Sequence, residues 1–175
     1  MTIITQTPRI IVREYTPEEE ILFIKLLSDP LVTDYLPKRT PDDNRIIFRD
    51  TLNDYHQGNK LTRWGIFNKA DGEYIGLGLL KSIEGEPTLS ELGYVIHDKF
   101  KGQGIATEFS KAMLTFGFIE MGLSEIYAVT SKENTPSKRV LEKVGMQPGN
   151  DIMRNGEWLN YFKITKEDWH KSLEA

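Results

Sequence analysis

Apolar and polar residues alternate along RIIVREY (9–15), and the stretch is rich in β-branched side chains, so it predicts a strand. The period then changes to a helical one. Thr16 caps and Pro17 opens a helix with Glu18 to Glu20 in its first turn, and Ile21, Leu22, Ile24 and Leu26 carry it toward Ser28. A second helix starts after Thr40-Pro41 and runs to Gly58, with Ile46, Ile47, Leu52 and Tyr55 as its buried side. TRWGIFNK (62–69) and EYIGLGLLKSI (73–83) read as strands joined by the hairpin chemistry of Ala70-Asp71-Gly72, and TLSELGYVIH (88–97) is the next strand. Ile105, Phe109, Ala112, Met113, Phe116 and Ile119 recur at helical spacing, which predicts a long amphipathic helix ended by Gly122. EIYAVTS (125–131) is a strand, Pro136 to Val144 a helix closed by Gly145, and GEWLNYFKIT (156–165) a last strand before a short helical tail. Strands with helices between them imply a mixed α/β sheet, and 175 residues suit a single domain, 1–175.

Composition narrows the chemistry. There is no cysteine, which excludes disulfides, cysteine-ligated metal and cysteine nucleophiles. His56, His97 and His170 stand far apart without ligand spacing, so no metal is expected. A net charge of −4 argues against broad nucleic-acid binding and is compatible with a cationic substrate. The longest apolar runs, such as YIGLGLL (74–80), are too short to span a bilayer, and MTIITQTPRII is a poor signal peptide. A cytoplasmic protein with no membrane partner is the expectation.

The segment DKFKGQGIATEF (98–109) puts two glycines between a predicted strand and a predicted helix. A helix N-terminus carries unpartnered N–H groups and a positive partial charge, which suit an anion such as phosphate. Gly102 and Gly104 let the backbone approach such an anion, and Lys99 and Lys101 add cationic character; a tight strand-to-helix turn would use the same glycines. The loop lacks the Gly-Lys-Ser/Thr of a nucleotide-triphosphate loop, and Thr107 stands where a dinucleotide fingerprint has its third glycine or alanine.

What remains, Lys101-Gly102-Gln103-Gly104-Ile105-Ala106, resembles the pyrophosphate loop of the GNAT superfamily of N-acetyltransferases. ELGYVIHDKFKGQGIATE (91–108) and ENTPSKRVLEKVGM (133–146) are similar to the RimJ/RimL-like branch that acetylates ribosomal-protein alanine termini. The resemblance is specific over 91–146 and looser elsewhere; Lys101 replaces the usual Gln or Arg, and Met146 the common Phe. It implies the GNAT fold, a mixed and mostly antiparallel sheet of six to seven strands flanked by about four helices. It also implies an acyltransferase that moves an acetyl group from acetyl-coenzyme A to an amine by direct attack in a ternary complex. The acceptor would be a protein N-terminus, ribosomal ones included, or a small molecule, and homodimers are common in the family. A non-catalytic acyl-coenzyme A-binding regulator is the alternative.

By the same resemblance the backbone of Tyr94, Val95 and Ile96 lines the pantetheine arm, and the N–H groups of Gly102, Gln103, Gly104, Ile105, Ala106 and Thr107 hold the pyrophosphate beside Lys101. Gly93 fits a bulge or a close backbone approach in that strand. Asn134 matches the residue that binds the pantetheine arm, and it also fits helix capping. Ser137 matches a proton donor to the thiolate; the tyrosine that many members carry eight residues after the asparagine is Glu142 here. Glu91 is the candidate general base through water, or else a solvated strand carboxylate, with Glu73, Glu157 and Tyr161 as weaker alternatives. On the acceptor side, Tyr35, Asp34 and Asp42 could meet a cationic amine or be plain loop residues. Trp64 and Trp158 read as core or groove wall.

Overall fold

A computed structural model describes all residues, 1–175. The strands are β1 (Ile3–Gln6), β2 (Ile10–Arg13), β3 (Arg63–Asn68), β4 (Tyr74–Ile83), β5 (Glu86–Ile96), β6 (Glu125–Ser131), β7 (Gln147–Pro148), β8 (Ile152–Arg154) and β9 (Glu157–Thr165). The helices are α1 (Glu20–Leu27), α2 (Pro30–Thr33), α3 (Pro41–His56), α4 (Ile105–Thr115), α5 (Thr135–Lys143) and α6 (Lys166–Glu174). The hydrogen-bonded strand order is β1-β2-β3-β4-β5-β6-β9-β7, with β8 on β9. The mixed α/β sheet is as expected, but it has nine strands and the chain six helices. The extra elements β1, β7, β8 and α2 are two to four residues long, too short for a hydrophobic period to register.

The chain divides into two compact units, Met1–Leu79 with Tyr94–Ile105, and Leu80–Gly93 with Ala106–Ala175. In the first, β1 to β4 form an antiparallel meander. Tyr15, Phe23, Leu26, Phe48 and Leu77 make its core, with the Tyr15 and Phe23 rings edge to face at 5.7 Å. Helix α3 begins with the expected cap: Thr40 Oγ1 accepts from Asp43 N, and Asp43 Oδ2 accepts from Thr40 N. Its buried stripe is Asn44, Phe48 and Thr51, whereas Ile46, expected inside, is exposed. Residues 44, 48 and 51 keep a helical period around Phe48, and Ile46 lies off that face.

In the second unit β5 runs parallel to β6, and β6 pairs antiparallel with β9. Helix α4 buries Ile105, Phe109 and Met113 as expected. Its end departs from the pattern: over Phe116–Glu120 the helix widens to π geometry, Phe118 becomes fully buried, and Ile119 is exposed. The wider turn inserts a residue into the repeat and shifts the apolar phase. Phe118 then meets Trp169 of α6, ring centroids 5.3 Å apart.

Candidate active site

In the first unit the backbone turns from β5 through a single 3-10 turn, Asp98–Phe100, into the glycine loop. Gly102 and Gly104 both adopt left-handed backbone, φ +75° and +78°, a conformation that side chains with a Cβ rarely take. A Cβ at Gly102 would meet nothing within 4 Å, so conformation, not crowding, calls for glycine there. Gly104 immediately precedes α4 and has no side chain to cap its first N–H groups.

Arg9 of the strand-leading segment was not among the expected residues, yet its Nη1 donates to Gln103 O at 2.8 Å and holds the loop. No sequence signal marks it, because the contact joins residues far apart in the chain. Lys101 is turned away from a purely diffuse role: its Nζ donates to Leu31 O at 2.6 Å and lies 3.6 Å from Asp98. The Gln103 amide donates to Lys99 O at 3.2 Å. The loop therefore offers exposed backbone from 102 to 104 braced by side chains at its rim.

On β5, Val95 packs against the core of this unit. The tightest backbone approach lies at Gly76 of β4, where a Cβ would stand 2.1 Å from Val95 O. A register shift also falls in β4, in its pairing with β3 between Ile66 and Phe67.

In the second unit the β5–β6 ladder covers only Leu89↔Glu125, Ser90↔Ile126 and Glu91↔Tyr127. Strand β6 continues to Ser131, still paired with β9, so the ladder to β5 ends at Glu91. Glu91 is half-buried at that point. Its Oε1 accepts from Arg154 Nη1 at 2.8 Å, and its Oε2 accepts from Arg154 Nη2 at 3.3 Å and from Tyr127 OH at 3.1 Å. This is not the solvated carboxylate of the bland expectation. It is a two-pronged guanidinium pair with a phenol attached, both oxygens already accepting. Burial, then the charge of Glu91, push the Tyr127 hydroxyl up to about 12. The Tyr127 ring stacks on Tyr161 at 5.2 Å, and period-2 alternation puts both on one sheet face.

Neither Arg154 nor Tyr127 is among the residues that the sequence singles out. Arg154 ends β8, next to a two-residue turn with Asn155 at φ 52° and Gly156 at φ 77°. Asn-Gly is the strongest short hairpin signal and would have found this hairpin. Tyr127 carries no signal in the sequence beyond its place in a strand.

Asn134 is the N-cap of α5: its Oδ1 accepts from Ser137 N at 3.3 Å. Asn134 and Ser137 thus share one helix start, both half-buried. The capping role is present, and the Asn134 amide nitrogen is the atom that remains to donate elsewhere. Trp64 is core, Trp158 is exposed, and Tyr35 is exposed. Glu73 pairs with Lys99, and Glu157 stands opposite Arg154 across the hairpin. No cluster of three or more metal-ligating side chains is present, and no helix is long and apolar enough to cross a membrane.

Comparison with known proteins adds a family to this geometry. The model of the acetyltransferase (GNAT) domain matches residues 9–147. An uncharacterized N-acetyltransferase of Bacillus subtilis, YnaD, is 28% identical over 172 residues, covering 94% of this chain and 98% of its own length. The crystal structure of a GNAT-family acetyltransferase from Bacillus anthracis superposes with a TM-score of 0.79 at 28% identity, covering 95% of this chain and 99% of that one. RimL, a ribosomal L7/L12 alpha-N-protein acetyltransferase solved with coenzyme A, shares the fold with a TM-score of 0.76 at 15% identity, over 94% and 98% of the two chains. A glycine loop at a helix start, a parallel strand pair that stops short, and a family match over most of the sequence converge: this chain belongs to the GNAT family of N-acetyltransferases.

Proposed function

We propose that the protein transfers an acetyl group from acetyl-coenzyme A to an amine, by direct attack within a ternary complex. The observation that carries the reading is the loop 101–107, with both glycines left-handed directly ahead of the start of α4. That loop fits a pyrophosphate: the N–H groups of Gly102 to Thr107 would hold it, with Lys101 at the rim. The backbone of Tyr94, Val95 and Ile96 would line the pantetheine arm, and the Asn134 amide nitrogen would donate to it. Coenzyme A solved in a protein of this fold supports the assignment.

Acetyl-coenzyme A supplies the acetyl group as a thioester. The chain's own residues supply proton movements. An α-amino group of ordinary pKa about 7.7 to 8.0, or a lysine near 10.4, must lose a proton before it attacks. Glu91 would take that proton at a carboxylate oxygen, through water, once one of its present donors has left. Ser137 would donate at Oγ to the departing sulfur. The acceptor is either a protein N-terminus or a small cationic amine.

The saturated Glu91 carboxylate favours one second reading, an acyl-coenzyme A-binding regulator without turnover. A coenzyme A-release assay separates the two. Peptides beginning with Ser, Ala or Met, polyamines, amino acids and aminoglycosides would be offered with acetyl-coenzyme A. Release well above background with one amine class is expected. Calorimetric binding of acetyl-coenzyme A with silence across the panel would mean that the acceptor lies outside the panel or that the protein is the regulator, and absence of binding would sink both readings.

A further inference from the structure

We propose that Arg154 is a displaceable internal cation: its guanidinium, which pairs with Glu91, gives way to the ammonium group of a cationic acceptor. The inference rests on the transferase reading and names the acceptor's chemistry. Its ground is the different anchoring of the two partners. Glu91 sits within β5, in register with Tyr127 on β6, and its side chain is 20% exposed. Arg154 ends a three-residue strand that pairs only with β9, at the lip of the Asn155-Gly156 turn, and its side chain is 38% exposed. The carboxylate is fixed and the guanidinium is on a short, outlying hairpin.

The chemistry of the exchange matches. Arg154 presents two N–H donors to Glu91, and an ammonium presents three. When Arg154 leaves, Tyr127 still donates to Oε2, so the carboxylate keeps one partner. A half-buried carboxylate stripped of its cation is costly, so a neutral or anionic acceptor cannot drive the release. The departing guanidinium also has somewhere to go. Glu157 is exposed and directly opposite Arg154 in the hairpin register, where facing Cβ atoms stand about 4.5 to 5.5 Å apart. Arg154 therefore has one carboxylate inside, Glu91, and one outside, Glu157.

The selectivity follows. Arg154 sets a threshold that only a cation able to pair with Glu91 crosses, and it thereby raises the apparent KM for that acceptor. The test uses spermidine as a cationic probe, with calorimetry on the full chain in the presence of coenzyme A. Arg154→Ala should tighten spermidine binding by about tenfold, a difference of about 1.4 kcal/mol. Arg154→Lys should return it toward the wild-type value, and the double variant Arg154→Ala, Glu91→Gln should lose the gain. Arg154→Gln, which keeps the stem out to Cδ and removes the charge, replaces the alanine variant if that one melts early. Spermidine affinity that is unchanged or weaker in Arg154→Ala, or absent from every form, overturns the proposal and leaves Arg154 as a positioning residue for Glu91. Because the readout is binding, a wild-type protein silent in the coenzyme A-release assay would sink the transferase reading without deciding this one.

Discussion

A single methyl group is the sharpest probe of the backbone that carries Val95. At Gly76 an added Cβ would lie 2.1 Å from Val95 O and 3.1 Å from Ile96 Cα, and both obstacles are main chain that cannot swing aside. Gly76→Ala should therefore cost about 3 kcal/mol in a urea unfolding midpoint, at the top of the usual range for overpacking. An unchanged midpoint would mean that β4 and β5 separate more easily than their contact implies. Glu91 depends on contacts that no single position reveals. Its candidacy as a base could be read from its type and its strand, but its partners could not. Arg154 is distant in the chain, and Tyr127 reaches it only because parallel pairing sets Glu91 against Tyr127.

At the scale of elements, the most informative departure is the end of α4. A regular helix through Glu120 would have buried Ile119, as its spacing with Phe109, Met113 and Phe116 predicts. The π turn over Phe116–Glu120 instead buries Gly117 and Phe118. Gly117 is pressed among Leu80, Leu123 and Ile126, and that crowding fits a local widening of the helix that lets its backbone come close. Phe118→Ala should lose about 3 to 5 kcal/mol of stability, whereas Ile119→Ala should stay within about 0.5 kcal/mol. Equal losses, measured by denaturant unfolding of the two variants, would restore the regular helix. The glycine loop is the opposite case. Its conformation was legible, because two glycines at a strand-to-helix junction leave few alternatives, and both do take positive φ.

The whole molecule carries a set of tyrosine hydroxyls whose environment favours the neutral form. Burial raises Tyr15, Tyr55 and Tyr74, and burial with the Glu91 charge raises Tyr127 to about 12. A raised folded value means the unfolded chain gives up these protons first, near its ordinary value of about 10. Their contribution is fully present below pH about 10 and declines as pH rises above it, through about 12 for Tyr127. Urea unfolding followed between pH 8 and 11.5, with tyrosinate absorbance alongside, should show a midpoint level to about pH 10 and falling above it. A midpoint that holds constant across that range would contradict the burial of these hydroxyls.

By itself the sequence determined the family, the alternation of strands and helices, and the glycine loop between a strand and a helix. These are written in short windows, by hydrophobic period, turn residues and a local motif. The tertiary structure alone decided what each candidate side chain touches. Arg9 bracing the loop, Lys101 committed to Leu31, and Arg154 and Tyr127 converging on Glu91 are contacts between residues far apart in the chain. The Asn155-Gly156 turn marks the hairpin in the sequence, but which distant side chain each residue meets follows only from how the strands are brought together.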